Sequence, residues 1–530
     1  MAAPLSIIKS ILTVGGWTMV SRVLGFIRDL LIAQFLGAGM IADAFFVAFK
    51  LPNLFRSLFA EGAFNVAFVP LFSEQLETKG KEAALRFAEE ALSALFYIVL
   101  LFTAIAEIAM PYFIMVQAPG FLEEPAKFEA TVIMSRITFP FLLLVSLNSL
   151  LSGMLNSTGR FAAAAFTPIL LNLTMITSLF AFAPLFKGNY GYALSLGMTV
   201  AGVVELIWLV WHTRRAGLPL GIRGPLNVIK NKTVELALLM KRIIPGVFGS
   251  GIYQINLFLD TLFVSFLTTG AISWLYYANR LYQLPVGIIG AAIGTALLPI
   301  LSRQIKAGDM KLAENSLNRA LEIALLMSVP AMAGLMALSY PIISVLFERG
   351  QFTDADSVKT AMALCAYAAG LPAYILTKTL SPVFYARGDT VTPVKIAAWA
   401  LGLYIVLCAV FLPKLGYVGI ALATGIVAWI NVIQYIWRIK RQKLHHIDGT
   451  FKKRTLSILI SSVVMAGVVF YANKQTAIYF PDWTHADQMI KNLILAALIS
   501  TGGIVFSVTV LLTGGVNLKE LLVRLRRRRG

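Results

Sequence analysis

The sequence predicts an all-α polytopic membrane protein of about 14 transmembrane helices, arranged as two parallel six-helix lobes plus two C-terminal helices. Three observations carry this expectation. Of 530 residues, 58% are hydrophobic and only 13% charged, with a mean hydropathy of +0.78, whereas soluble domains carry about 25% charge. The apolar residues come in blocks of roughly twenty, the length that crosses the hydrocarbon core of a bilayer. The first quarter of the chain also resembles its middle. Such a composition excludes a disordered chain, and the block pattern argues against a soluble enzyme.

The spans lie near 12–36, 41–69, 88–114, 133–155, 162–183, 191–211, 239–266, 271–299, 317–344, 360–385, 393–412, 416–437, 455–473 and 489–513. Several are longer than a crossing requires, so tilts, bends or protruding ends are expected. Pro52, Pro140, Pro285 and Pro372 stand where kinks would bow the helices around a cavity. The N-terminal stretch is not expected to be a signal peptide: its basic start is weak and no small-residue cleavage site precedes Arg22.

Lys and Arg set the orientation. With the N-terminus inside, the sixth connection is cytoplasmic and holds Arg214, Arg215, Arg223, Lys230 and Lys232. The twelfth holds Arg438, Lys440, Arg441, Lys443, Lys452, Lys453 and Arg454, and the tail ends in Arg526, Arg527, Arg528 and Arg529. Opposite loops are acidic: 118–131 carries Glu123, Glu124 and Glu129 against Lys127, and 474–488 carries Asp482 and Asp487 against Lys474. Both termini are therefore expected in the cytoplasm. The formal charge of +19 reads as loop topology, with anionic lipid binding by the tail as an alternative, and no nucleic-acid partner is expected.

The repeat places Asp29 and Phe35-Leu36-Gly37-Ala38-Gly39 against Asp260 and Phe266-Leu267-Thr268-Thr269-Gly270. Ala67-Phe68-Val69-Pro70-Leu71-Phe72-Ser73 matches Ala296-Leu297-Leu298-Pro299-Ile300-Leu301-Ser302, and Thr167-Pro168 echoes Thr392-Pro393. A period of about 230 residues, six spans, preserves orientation, so the halves run parallel, as in rocker-switch transporters. The expected divisions are 1–220, 221–445 and 446–530, the last supplying two additional spans and a basic tail.

Charged residues inside apolar blocks are costly and usually face a bundle interior or a watery cavity. Arg22, Arg28 and Asp29 lie in the first span, Asp43, Lys50, Arg56 and Glu61 in the second, and Arg280 in the eighth near Ser273 and Gln283. Glu107, Glu205, Asp260 and Lys378 are further cases. Arginine keeps its charge, and its planar fork matches phosphate oxygens with paired hydrogen bonds. Convergence of Arg22, Arg28, Arg56 and Arg280 would make a phosphate or pyrophosphate site, and a helix broken near Gly25 would bring Arg22 and Arg28 together. Each residue also has a structural reading. Arg28–Asp29 and Arg56–Glu61 can be local ion pairs, Asp43 a helix cap or ion pair, Lys50 a snorkelling amine, and Glu107 and Glu205 buried pair members. Trp274-Leu275-Tyr276-Tyr277 reads as an aromatic anchor at the outer interface, or a sugar-facing wall. Cys365 and Cys408 sit in apolar blocks and read as small hydrophobes; the sequence has no metal-binding or nucleotide-binding motif, so neither metal nor cofactor is expected.

These residues carry a resemblance. Ser21-Arg22-Val23-Leu24-Gly25-Phe26-Ile27-Arg28-Asp29, then Gly37-Ala38-Gly39 and Ala42-Asp43-Ala44-Phe45-Phe46-Val47-Ala48-Phe49-Lys50-Leu51-Pro52-Asn53-Leu54-Phe55-Arg56, resemble the opening of the bacterial lipid II flippase family, MurJ or MviN. Phe59-Ala60-Glu61-Gly62-Ala63-Phe64, Ser273-Trp274-Leu275-Tyr276-Tyr277-Ala278-Asn279-Arg280-Leu281 and Ala386-Arg387-Gly388-Asp389 continue it. The family lies within the multidrug/oligosaccharidyl-lipid/polysaccharide exporter superfamily. The resemblance implies transport of undecaprenyl-pyrophosphate-linked peptidoglycan precursor across the bacterial inner membrane. It also implies substrate binding by Arg22, Arg28, Arg56, Arg280, Asp43 and Ser273, with Glu61, Asp260 and Lys50 as coupling or ion-pair groups. Gln283 stands where some members carry a glutamate, which counts against a mechanism needing an acid there, and Asn279 where some carry an aspartate, which weakens a local pair and leaves Arg280 freer for substrate. Expected partners are lipid II, membrane lipids, a monovalent cation for resetting and cell-wall synthesis machinery. The rival readings are export of another polyprenyl-linked glycan or amphiphile, a membrane enzyme acting on polyprenyl phosphates, and a non-transporting scaffold. An enzyme would need clustered carboxylates or a nucleophile set, which the sequence lacks.

Overall fold

The computed structural model describes residues 4–56, 63–225, 234–442, 448–481 and 483–516. Glu61, Lys230, Lys232, Lys443, Asp482 and Arg526, Arg527, Arg528 and Arg529 lie outside them. Among the described residues the regular structure is entirely helical, and ten helices are long and apolar enough to cross a membrane. Ile207, Trp399, Phe470 and Ile504 stay exposed on such helices, as expected where a bilayer rather than water covers the surface. The chain is an all-α, polytopic membrane protein.

It divides into two compact units, Met1–Ser273 and Trp274–Gly530. The first contains α1 (Pro4–Leu36), α2 (Met40–Arg56), α3 (Ala63–Thr78), α4 (Lys81–Ile108), α5 (Met110–Gln117), α6 (Pro125–Thr138), α7 (Phe141–Ser157), α8 (Phe161–Ala181), α9 (Tyr190–Arg215) and α10 (Val234–Ser265). α1 packs on α8, α8 and α7 on α9, and α2 on α6. α10 packs on α3, which is why compactness puts the division after Ser273 rather than near residue 220, where sequence similarity puts it. α1 is one continuous helix through Gly25, so Arg22 and Arg28 are not brought together by a break there. A strap after α9 ties back to α4: Arg223 donates to Glu89 Oε2 at 2.9 Å and Glu90 Oε1 at 3.0 Å, and its backbone N–H donates to Ser93 Oγ. Arg223 is thus neutralised within the fold instead of standing as a bare loop charge.

α11 (Ala271–Pro285) leads from the first unit into the second, which continues with α12 (Ala291–Lys306), α13 (Met310–Ala337), α14 (Ser339–Phe347), α15 (Asp354–Ala368), α16 (Leu371–Leu380), α17 (Pro382–Tyr385), α18 (Val391–Arg441), α19 (Gly449–Tyr479) and α20 (Gln488–Leu512). Pro140, Pro285 and Pro372 stand at interruptions: before α7, before a π-helical turn (Val286–Gly290), and in the first turn of α16. Pro52 lies inside an unbroken α2. α18 runs for 51 residues but is broken at Gly416 (φ 55°, ψ −137°), a conformation that a side chain disfavours. Asp309, Asp448 and the Thr353–Asp356 capping box start α13, α19 and α15 by accepting backbone N–H groups.

Trp274 is not an interfacial anchor. It is 3% exposed, donates to Asp356 Oδ1 at 2.9 Å and packs on Tyr417, while Lys359 Nζ sits 4.2 Å from its ring centroid. Tyr277 is likewise buried, between Phe347 and Phe352. The indole N–H and the cation face give this ring partners inside the protein that a headgroup layer would otherwise supply. Cys408 is buried and Cys365 half-buried, both unlinked.

α19 is fastened to α13 by charge. Glu322 pairs with Arg319 and, at 3.0 Å, with Arg454, and Arg319 reaches Asp448 at 2.8 Å. Glu322→Ala leaves two partly buried guanidiniums without this shared carboxylate, and is expected to destabilise the second unit by about 2 kcal/mol. Thermal unfolding in detergent checks this; a midpoint equal to that of the wild type would rule out a stabilising role for the network.

Candidate functional site

The candidate residues of the first unit fall into three places. On α1, Arg22 is exposed, whereas Arg28, one and a half turns further on, is 4% exposed and held from two sides. It donates to Asp29 Oδ1 at 2.8 and 3.1 Å and to Asn172 Oδ1 on α8 at 3.0 Å, beneath the ring of Phe49. Asn172 in turn donates to the Ser21 and Pro168 carbonyls, so its amide oxygen is presented to Arg28 in one orientation. The local Arg28–Asp29 pair is therefore present, and Asn172 fixes the guanidinium plane.

The second place is built around Asp43, which is 1% exposed on the first turn of α2. Its Oδ2 accepts the Gly270 N–H at 2.7 Å, and Oδ1 accepts both the Ser273 N–H at 3.0 Å and the Ser273 hydroxyl at 2.7 Å. A carboxylate from a distant helix thus satisfies orphan donors at the N-terminus of α11, where the helix dipole also favours negative charge. Lys127, only 1% exposed, lies 3.3 Å from Asp43 and 3.6 Å from Glu124. It also donates to Thr269 Oγ1 at 3.1 Å and sits 4.3 Å from the Phe121 ring centroid. Thr269 donates on to Glu124. Nearby, the Gly120 N–H donates to Ser265 Oγ, and the two backbones approach so closely that a Cβ on Gly120 would overlap the Ser265 carbonyl oxygen. The result ties the start of α2, the 118–127 segment and the α10–α11 turn into one buried polar knot. Asp260 and Asp43 both act electrostatically on Lys50, which is half-buried on α2.

The third place is a cavity of about 360 Å³ whose lining includes Arg56, Asn65, Asn148, Ser149, Asn156 and Glu205. Asn148 Nδ2 donates to Glu205 Oε2 at 3.0 Å, and Asn65 Nδ2 donates to Ser149 Oγ at 2.7 Å. In the second unit, Arg280 and Asn279 are half-buried on α11 and Gln283 is exposed.

The sequence singles out Asp43 and Ser273 but not their connection, and Lys127 reads from it as a loop charge. The signal for Lys127 was its position as the lone base in an acidic segment. Asn65, Asn148 and Asn172 carry no formal charge and so do not stand out in the sequence, yet an amide in an apolar block is also costly to bury and needs partners.

A family model described as the lipid II flippase MurJ matches residues 32–485. The chain belongs to the MurJ lipid II flippase family. A probable MurJ from Rhizobium tropici is 40% identical over 529 residues, covering 99% of this chain and 98% of the relative. A MurJ from Burkholderia cenocepacia is 32% identical over 481 residues, covering 91% and 92%. Among solved structures, a lipid II flippase MurJ in an inward closed conformation matches with a TM-score of 0.77 at 27% identity, covering 94% of this chain and 97% of that one. An inward-facing multidrug resistance transporter of the MATE family matches with a TM-score of 0.63 at 14% identity, covering 82% and 98%, a likeness of fold alone. MurJ proteins are membrane transporters, and this chain is not an enzyme.

Proposed function

We propose that this protein moves lipid II, the undecaprenyl-pyrophosphate-linked peptidoglycan precursor, from the cytoplasmic to the periplasmic leaflet of the bacterial inner membrane by alternating access. In this reading about 14 spans form two parallel six-helix repeats, 1–220 and 221–445, followed by two further spans in 446–530, with both termini in the cytoplasm. Family membership supports the cargo. The observation that supports the mechanism is the Asp43 knot. It joins a residue of the first repeat to Gly270 and Ser273 of the second, in segments that the basic-loop topology puts on the outer side. In this reading the substrate enters from the cytoplasm while the knot is made.

Pyrophosphate is then captured by Arg22, Arg28 and Arg280, with Arg56 assisting, because an anion neutralised by fixed guanidiniums loses less on leaving water. Arg28 is oriented for this by Asn172, and phosphate competes with Asp29 for its fork. Release outward requires the Asp43–Ser273 and Asp43–Lys127 contacts to break, so that the knot acts as a gate that substrate binding must work against. The inside-negative potential favours outward passage of an anion. A monovalent cation resets the empty carrier, with Asp260, Lys50 and Glu61 as the candidate groups, and contact with cell-wall synthesis machinery receives the product.

The test is outer-face lipid II in cells depleted of the protein, complemented at matched expression by wild type, Arg28→Ala or Arg280→Ala. Wild type is expected to restore the signal and each variant to leave it at least about tenfold lower, the effect of losing one charge-assisted contact. Unchanged outer-face lipid II on depletion would remove the cargo and favour another polyprenyl-linked glycan. Full rescue by both variants would remove the arginine site.

A further inference from the structure

The cavity beside Arg56 has a chemistry that phosphate binding does not account for. Arg56 and Glu205 both line it, with Asn65, Asn148, Ser149 and Asn156 supplying amides and a hydroxyl. Donors and acceptors therefore share one space. A phosphate accepts hydrogen bonds and repels a carboxylate, so Glu205 is misplaced for it. A bare cation is disfavoured by Arg56, and the volume of about 360 Å³ corresponds to about a dozen water molecules, far more than one ion needs. Hydroxyl and acylamino groups both donate and accept, and a mixed wall of this kind satisfies them. Phe141 and Phe161 add apolar surface of the sort that the C–H face of a sugar ring packs against.

The polar wall is also pre-oriented. Asn148 is buried on α7 and its Nδ2 is engaged by Glu205 Oε2 and, at 3.4 Å, by the Gly202 carbonyl, both on α9. Asn65 on α3 holds Ser149 of α7 in the same way. Three helices are thereby keyed together around the space, so a ligand meets fixed groups instead of ordering them on arrival.

We infer that this cavity binds the N-acylated aminosugar of the lipid-linked cargo, with Arg56 on the phosphate side and Asn148, Asn156 and Glu205 on the glycan side. The inference rests on the lipid II reading and deepens it. In a lipid-linked glycan the first sugar is joined directly to pyrophosphate, so a sugar subsite must adjoin a phosphate-binding arginine. Of the arginines assigned to phosphate, Arg56 is the one in this lining.

The experiment compares two probes on the full-length protein in lipid nanodiscs: lipid II, and undecaprenyl pyrophosphate, which has the same phosphates and tail but no glycan. Asn148→Leu and Asn156→Ala are expected to weaken lipid II binding about tenfold while undecaprenyl pyrophosphate changes by less than about twofold. Asn156 is only half-buried near the end of α7, so its variant carries the test if Asn148→Leu fails to fold. Equal weakening for both probes, or none for either, overturns the sugar site while the cargo stands. Wild-type protein that binds lipid II no better than undecaprenyl pyrophosphate also overturns it. Failure of wild type to bind lipid II at all removes the cargo reading and this site with it.

Discussion

Asp43→Ala is expected to destabilise the first unit by about 3–5 kcal/mol, the cost of removing one partner from a buried ion pair. The substitution strands Lys127, a buried ammonium whose nearest remaining carboxylate, on Glu124, is half-exposed at 3.6 Å. It also strips the Gly270 and Ser273 N–H groups of their acceptor at the start of α11. Thermal unfolding in detergent reads the first effect. Labelling of cysteines introduced in the 118–127 segment reads the second, because a loosened knot should raise the accessibility of that segment. Asp43→Asn combined with Lys127→Met should recover most of the stability, since it removes both charges together, but not the full closure. An unchanged midpoint together with unchanged labelling would show that the knot neither stabilises nor closes anything.

Gly120→Ala is the second large effect. The added methyl would overlap the Ser265 carbonyl oxygen and meet its carbon at 2.5 Å and the Phe266 nitrogen at 2.7 Å. These are backbone atoms, which cannot swing aside as a side-chain tip can, so the 118–124 segment must separate from the end of α10. The expected cost is about 2–4 kcal/mol, with loss of the hydrogen bond from the Gly120 N–H to Ser265 Oγ. Hydrogen exchange should localise the loosening to 118–127 and 265–270, whereas Ser265→Ala, which removes only the hydroxyl, should cost about 1 kcal/mol. If Gly120→Ala melts with the wild type, the close approach is not a constraint.

How far the sequence could be read depended on the kind of signal. Apolar blocks of membrane length report themselves in composition, and Pro140, Pro285 and Pro372 marked real interruptions because a missing N–H is a local property. Gly25 did not mark one, since glycine permits a break without requiring it, and the packing of α1 on α8 keeps that helix continuous. Trp274 misleads for a related reason. An indole beside tyrosines at a span end has the composition of an interfacial anchor, and only the approach of Asp356 and Lys359 makes it interior.

The sequence by itself determined that this is an all-helical, multi-pass membrane protein and which charged residues interrupt its apolar blocks. These follow from transfer free energies that each residue or block carries alone. Tertiary structure alone decided which partners Arg28 and Asp43 take. Arg28 is set by Asn172, 144 positions away, and Asp43 by Ser273, 230 positions away. Lys127, which looks like one more loop charge, is the buried partner of Asp43. The reason is electrostatic: at membrane depth a charge takes its role from whichever donors and acceptors lie within a few ångströms, and chain order says little about which those are.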